Sequence, residues 1–275
     1  MRERNLIKLL KIGGAILLAA FCLLPFVWMV VISFSGNADF LTTKSYTLTF
    51  KNYIDVLTYK NAHLLDYLRN SLVISLFASF FATIFAGLSA YSISRFKFKG
   101  KNLIPILLLG ISMFPQISII GYLFEMMVWL GWINTYPGLI FPYITLTLPL
   151  ALWIMMSYFL QLSTDLDQAA LVDGATRLQV FYKILLPLSL PGFFSTFMLT
   201  FIFCFNEFLF SLMLTIDHHA RTIPVGIALF EGLHGQVPWG QIMSSSVIAI
   251  IPVLTLIAFF QKFIIGGLTR GAIKG

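Results

Sequence analysis

One carboxylate stands well inside an apolar run of this chain: Glu207, preceded by Asn206, in the stretch FCFNEFLFSLML. If the run crosses a bilayer, Glu207 lies about seven residues from its outer end, roughly 10 Å deep at 1.5 Å per residue. A charge at such depth costs at least roughly 2.5 to 3.5 kcal/mol, so it must be paired inside a helix bundle or carry a proton. Two uses meet that demand. Asn206 and Glu207 line a pathway for a polar solute, or Glu207 makes a structural hydrogen bond between helices.

Covalent chemistry has few candidates. No G-x-x-x-x-G-K-[ST] occurs, and Gly100-Lys101 is followed by Asn102, so no loop cradles a phosphate and any ATP must be hydrolysed by a partner. His63, His218, His219 and His234 lack metal-ligand spacing, and adjacent His218-His219 reads as solvated loop. No metal is expected. Cys22 and Cys204 lie inside apolar runs as buried free thiols, with no disulfide framework. With no nucleophile and base paired, the chain is not read as an enzyme.

The most patterned polar segment is DQAALVDGATRLQVFYKILLPLSLP, residues 167 to 191. Asp165 with Gln168 and Thr176 with Gln179 fit capping boxes and predict two short helices. Asp173-Gly174 breaks them apart, and Pro187 is expected to end the second. Small or aromatic residues, Ala169, Ala170, Ala175 and Phe181, replace a fully charged surface. That pattern suits a docking partner or an amphipathic helix lying on lipid.

The elements that hold these residues are membrane spans. Of 275 residues, 59% are hydrophobic and 11% charged, where soluble chains carry about a quarter charged residues. Runs free of Asp, Glu, Lys and Arg cover 12–34, 70–94, 102–124, 126–164, 188–206 and 232–261. A span needs roughly 20 residues. The fourth run is too long for one, and its NTYPG turn at 134–138 places that helix at about 138–160. The fifth is expected to continue through Glu207 to about 214, and the sixth to fill about 243–265.

The expectation is an all-α integral membrane protein with six transmembrane helices, read as a single membrane domain, 1–275. The net charge of +7 sits beside the apolar runs, as a topology signal and not a nucleic-acid-binding face. Lys and Arg cluster before the first run, between the second and third, within 167–191 and after the sixth; only Lys44, Lys51, Lys60, Arg69 and Arg221 fall on the other side. Both termini are therefore expected in the cytoplasm of a multi-pass protein of the cell (inner) membrane. Residues 12–34 exceed a signal peptide's apolar region and read as an uncleaved span. Ala78, Ala82, Ala86 and Ala90 repeat every four residues, a stripe for close helix packing. Pro25, Pro115, Pro142 and Pro252 mark kinks within spans.

Residues 167–191 resemble the cytoplasmic docking loop of binding-protein-dependent ABC importer permeases, E-A-A-x-x-D-G-A, five free positions, then F-x-x-I-x-L-P. Here Ala169-Ala170, Asp173-Gly174-Ala175, Phe181, Ile184 and Leu186-Pro187 fall in register, and Gln168 replaces the usual Glu. The segment 205–214 is similar to the N-E-F-L segment of carbohydrate-importer permeases, and GLTRGAIKG at 267–275 to the tail of the second permease in maltose- and trehalose-type systems.

The resemblance implies a type I permease fold with a core of about 67–267 and a docking loop at 163–190. It implies ATPase contacts at Gln168, Ala169, Ala170, Asp173, Gly174, Ala175, Arg177 and Phe181. A loop containing Gly235, Gln236 and Trp239 would reach the binding protein, while Asn206 and Glu207 keep both readings given above, pathway or structural hydrogen bond. Its partners would be a second homologous permease subunit, two ATPase subunits that bind ATP and Mg, and an extracytoplasmic sugar-binding protein. The alternatives are an importer of a non-sugar solute, or a secondary transporter, which would show inverted repeats or several intramembrane ionisable groups.

Overall fold

A computed structural model describes residues 2–36, 47–59, 62–230 and 237–272. Helices run α1 Arg2–Ser33, α2 Lys51–Thr58, α3 Leu64–Arg95, α4 Leu103–Ser112, α5 Gln116–Trp129, α6 Tyr136–Gln161 and α7 Thr164–Val172. They continue with α8 Arg177–Val180, a π-helical turn Phe181–Leu185, α9 Leu186–Phe205, α10 Leu209–Leu214, α11 Ile223–Ala228 and α12 Trp239–Ala272. Among the described residues, five helices are long and apolar enough to span a membrane, or six if α4 and α5 count as one broken span.

That broken span goes beyond the kink expected at Pro115 within 102–124. The axis bends by 91° between α4 and α5, where Met113 to Pro115 leave the helix and Pro115 takes an extended conformation (φ −65°, ψ 124°). Proline has no N–H to continue the ladder and pushes its predecessor out of the α region, so a sharp break replaces the expected kink. The other expected prolines, Pro25, Pro142 and Pro252, do lie inside helices.

The fifth span is also divided. Helix α9 stops at Phe205, and Asn206 to Phe208 separate it from α10. The fourth span, by contrast, starts at the expected turn: Asn134 takes a left-handed φ of 58°, and Thr135 caps α6 by accepting the Gly138 N–H at 3.3 Å.

The chain forms two units. In the first, Met1–Leu65 with Ile227–Ile251, α2 is fixed by polar contacts: the Asn52 amide donates to the Ser33 and Ser35 carbonyls, each at 2.9 Å. Helix α1 is exposed along most of its length, Cys22 included, contrary to the buried thiol expected there. Its apolar surface is suited to lipid or to another membrane helix.

The second unit, Asp66–Gly226 with Pro252–Gly275, holds two apolar clusters. One joins Ala86, Ala90, Tyr91, Ala151, Met155, Phe159, Phe181 and Leu185; the other joins Ile74, Ala78, Met127, Leu139, Tyr143, Cys204 and Phe210. All four alanines of the stripe are fully buried. Close approach extends to glycine: a Cβ on Gly87 would sit 2.5 Å from the Phe193 ring, and one on Gly192 2.5 Å from Tyr158. Buried hydroxyls such as Ser79, Thr147, Ser189 and Thr200 donate to carbonyls four residues back, which keeps polar groups satisfied without water.

Candidate functional site

The patterned segment folds as two short helices on the ends of α3 and α6. Ser163 caps the first: its Oγ accepts the Asp165 N–H at 3.1 Å and donates to the Asp165 carboxylate at 3.0 Å. This corrects the expected Asp165–Gln168 box. Ser163 is extended (ψ 136°) and begins the helix, while Asp165 falls within the first turn, where a carboxylate favours the helix dipole.

Helix α7 ends in a Schellman motif. The Ala175 N–H donates to the Ala170 carbonyl at 2.9 Å and the Gly174 N–H to the Leu171 carbonyl at 3.1 Å, with Gly174 at φ +83°. The second expected box is present. The Gln179 N–H donates to Thr176 Oγ1 at 3.3 Å, and the Thr176 N–H to Gln179 Oε1 at 2.8 Å.

Pro187 does not end this second helix, because a continuous helical run extends from Arg177 to Phe205. The π turn accommodates it: the Leu186 N–H reaches back to the Phe181 carbonyl, and Pro187, which has no N–H to give, follows directly in the first turn of α9.

Burial sorts the expected docking residues. Gln168, Ala169, Asp173, Gly174 and Arg177 are exposed, and Ala175 is half-buried. Ala170 and Phe181 are buried in the apolar cluster of their own chain, so they seat the segment and do not present contact points outward. Phe181 packs 5.0 Å from Tyr91 by ring centroids, and Tyr91 in turn lies 6.1 Å from Phe159. The outward face has apolar residues that sequence reasoning missed: Val172 is 87% exposed, Leu178 69% and Tyr182 58%. Arg177 stacks over Phe96, its Cζ 5.3 Å from the ring centre.

A buried ion pair was also missed. Arg95 Nε lies 2.7 Å from Asp167 Oδ2, with side-chain exposures of 4% and 10%, and Arg95 Nη2 donates to the Leu162 carbonyl at 2.9 Å. Burial pushes the Asp167 carboxyl above its ordinary range, and the Arg95 and Arg177 guanidiniums draw it only part of the way back. In sequence Arg95 was one of four cations flanking a span, with only its place nearest the apolar run to distinguish it.

At the other candidate site, neighbours point apart. Asn206 is exposed and its amide donates to the Ile202 carbonyl at 2.8 Å. Glu207 is buried, and its carboxylate accepts the N–H groups of Phe210 at 2.8 Å and Ser211 at 3.2 Å. It therefore caps the first turn of α10 from within its own chain. Of the loop residues, Gly235 and Gln236 lie outside the described residues, as does His234; Trp239 opens α12, partly exposed.

Asp217, His218 and His219 bring three donor atoms within 4.8 Å of one another. The Asp217 oxygen is already engaged by the Asn134 amide at 2.8 Å and by His219, at 2.9 Å from both its N–H and its ring nitrogen. These bonds hold its carboxyl far below the usual range. They also tie the 215–222 loop to the start of α6.

The bend between α4 and α5 borders a cavity of about 820 Å³, lined by apolar residues of α4, α5 and α6 with Ser112, Gln116 and Thr145 as its few polar groups. A sugar there would leave most hydroxyls unpaired.

Comparison with known proteins places these features in context. Residues 79–270 match the family described as binding-protein-dependent transport system inner membrane component. The chain is 52% identical to the trehalose/maltose transport system permease protein MalG of Thermococcus litoralis, covering 100% of both chains. It is 37% identical to the trehalose transport system permease protein SugB of Mycobacterium tuberculosis, over 94% of this chain and 95% of the relative. It also shares the fold of a chain in the crystal structure of a bacterial ABC transporter that imports the acidic polysaccharide alginate, with a TM-score of 0.77, 20% identity, and 95% and 98% of the two chains covered.

Proposed function

The chain belongs to the family of binding-protein-dependent transport system inner membrane components, and from that premise we propose that it is the permease subunit of an ATP-driven sugar importer, forming half of its translocation pathway. The observation that carries the reading is the seated docking segment, α7 to α8. Its inner face is buried in the bundle, and its outer face presents Gln168, Ala169, Val172, Asp173, Leu178 and Tyr182. An apolar centre with polar neighbours is suited to a protein partner. Lipid is the second reading, and it is disfavoured because the exposed Asp173 and Gln168 share this face.

The partners are a second, related permease, two ATPase subunits carrying ATP and Mg, and an extracytoplasmic sugar-binding protein, with the assembly in the cell membrane. ATP-driven closure of the ATPase pair moves the docking segments and rocks the two permeases between inward- and outward-facing states. The whole chain, 1–275, acts as one permease domain, and this subunit makes and breaks no covalent bond. Asn206 is the better pathway candidate of the original pair, since it is the exposed one. Trp239 contributes to the loop that meets the binding protein.

The names of the relatives support a disaccharide such as trehalose or maltose. The test is a cross-link: Val172→Cys in the assembled transporter should couple to the ATPase subunit through a short bifunctional reagent. Coupling only to lipid-soluble probes would favour the lipid reading.

A further inference from the structure

We propose that Arg95 is a positioning residue for energy coupling: through Asp167 and the Leu162 carbonyl it ties the docking helix α7 to the ends of α3 and α6, so that motion of α7 reaches both spans. The inference rests on the docking reading above. It starts from a difference between the two joints of α7. Toward α8 the joint is firm, closed by the Schellman bonds of Gly174 and Ala175 and by the Thr176–Gln179 box. Toward α6 the chain passes through two extended residues, Leu162 (ψ 128°) and Ser163 (ψ 136°). Backbone of that kind has no helical ladder across it, so its angle changes at little cost.

Arg95 spans this soft joint from the side. It is the last residue of α3, and its guanidinium holds the C-cap of α6 through Leu162 and the first turn of α7 through Asp167. The guanidinium therefore ties three elements together, by a hydrogen bond from Nη2 to Leu162 and by the charge attraction of Nε for Asp167. The apolar contacts nearby, among Tyr91, Phe159 and Phe181, hold the π turn that follows α8, but such packing is non-directional. The other cation near Asp167, Arg177, is engaged over Phe96. The second Asp167 oxygen, Oδ1, is buried with no hydrogen-bond partner among the described residues, so the Arg95 ion pair is the contact that orients this carboxylate.

The experiment uses the assembled transporter in proteoliposomes, with ATP hydrolysis, sugar uptake per ATP and the Val172→Cys cross-link measured together. Asp167→Asn removes the charge while keeping the shape. It should keep complex yield, cross-link and ATP hydrolysis, while uptake per ATP falls by about tenfold, within the usual range of coupling between sites. Arg95→Lys should recover part of the coupling that Arg95→Met loses. Uptake per ATP at the wild-type level in Asp167→Asn, or uptake that falls only in step with complex yield, would overturn the proposal. A wild-type complex without the cross-link would instead overturn the docking reading on which it rests.

Discussion

The Glu207 carboxylate accepts the backbone N–H of Phe210 at 2.8 Å, so this acid within an apolar segment closes a helix turn of its own chain. That contact restarts a helix after the break at Asn206 and leaves Asn206, not Glu207, on the exposed side. Glu207→Ala should then lower stability by about 1 to 2 kcal/mol, as loss of a helix cap does. Sugar uptake should fall in parallel, with the preference among sugars unchanged. Glu207→Gln keeps one accepting oxygen and should lose less. Melting temperature and uptake of several labelled sugars check this; a changed preference with unchanged melting would return Glu207 to the pathway.

Gly174 holds a left-handed φ of +83° in the turn between the docking helices. Any L side chain there costs about 1 to 2 kcal/mol. Gly174→Ala should therefore reduce the melting temperature of the chain, and Gly174→Pro, which also removes the bond to Leu171, should reduce it further and impair assembly with the ATPase. Equal melting of all three proteins would contradict the turn.

Asp167 gives a pH signature. Burial raises its carboxyl above the ordinary value of 3.8, so the folded state binds this proton more tightly than the unfolded one. That contribution is full below 3.8 and is lost as pH rises through the raised value. Asp167→Asn, which leaves the buried Arg95 guanidinium unpaired in its turn, should therefore make up ground on the native chain as pH rises across that window. Arg95→Met, which leaves a buried carboxylate unpaired, should cost about 3 to 5 kcal/mol at neutral pH. Thermal melts of the purified chain over a pH series test both signs; an Asn variant that loses ground as pH rises would contradict the account.

Exposure on the docking segment predicts a labelling pattern. With Cys22 and Cys204 replaced by Ala, cysteines at Ala169 and Val172 should react with a charged thiol reagent in inside-out vesicles, and cysteines at Ala170 and Phe181 should not. Reaction in right-side-out vesicles instead would reverse the orientation taken from the Lys and Arg distribution.

Features fixed by local chemistry are legible in the sequence. The alanine stripe, the Asn134 turn and the Thr176–Gln179 box each depend on neighbours in sequence, and each is present. Breaks inside apolar runs were not legible, since Pro115 reads the same whether it kinks a helix or ends it, and Pro187 is absorbed by a π turn that no composition signals. The docking residues were found as a pattern but not sorted. Ala170 and Ala169 look alike in sequence, and only the packing of Phe159 and Phe181 decides which one is buried. Arg95 and Asp167 lie 72 positions apart, and their pairing needs the ends of α3 and α6 to meet.

The central claim is that this subunit transports sugar only as part of an ATP-driven assembly. The most direct measurement is uptake of labelled trehalose or maltose into proteoliposomes, with ATP supplied on the docking-segment side and hydrolysis followed in the same vesicles. The account predicts no hydrolysis and no uptake by this chain alone, and coupled hydrolysis and uptake, stimulated by loaded binding protein, once the second permease and the ATPase subunits are present. ATP turnover by the isolated chain, or uptake driven by an ion gradient without the ATPase, would contradict it.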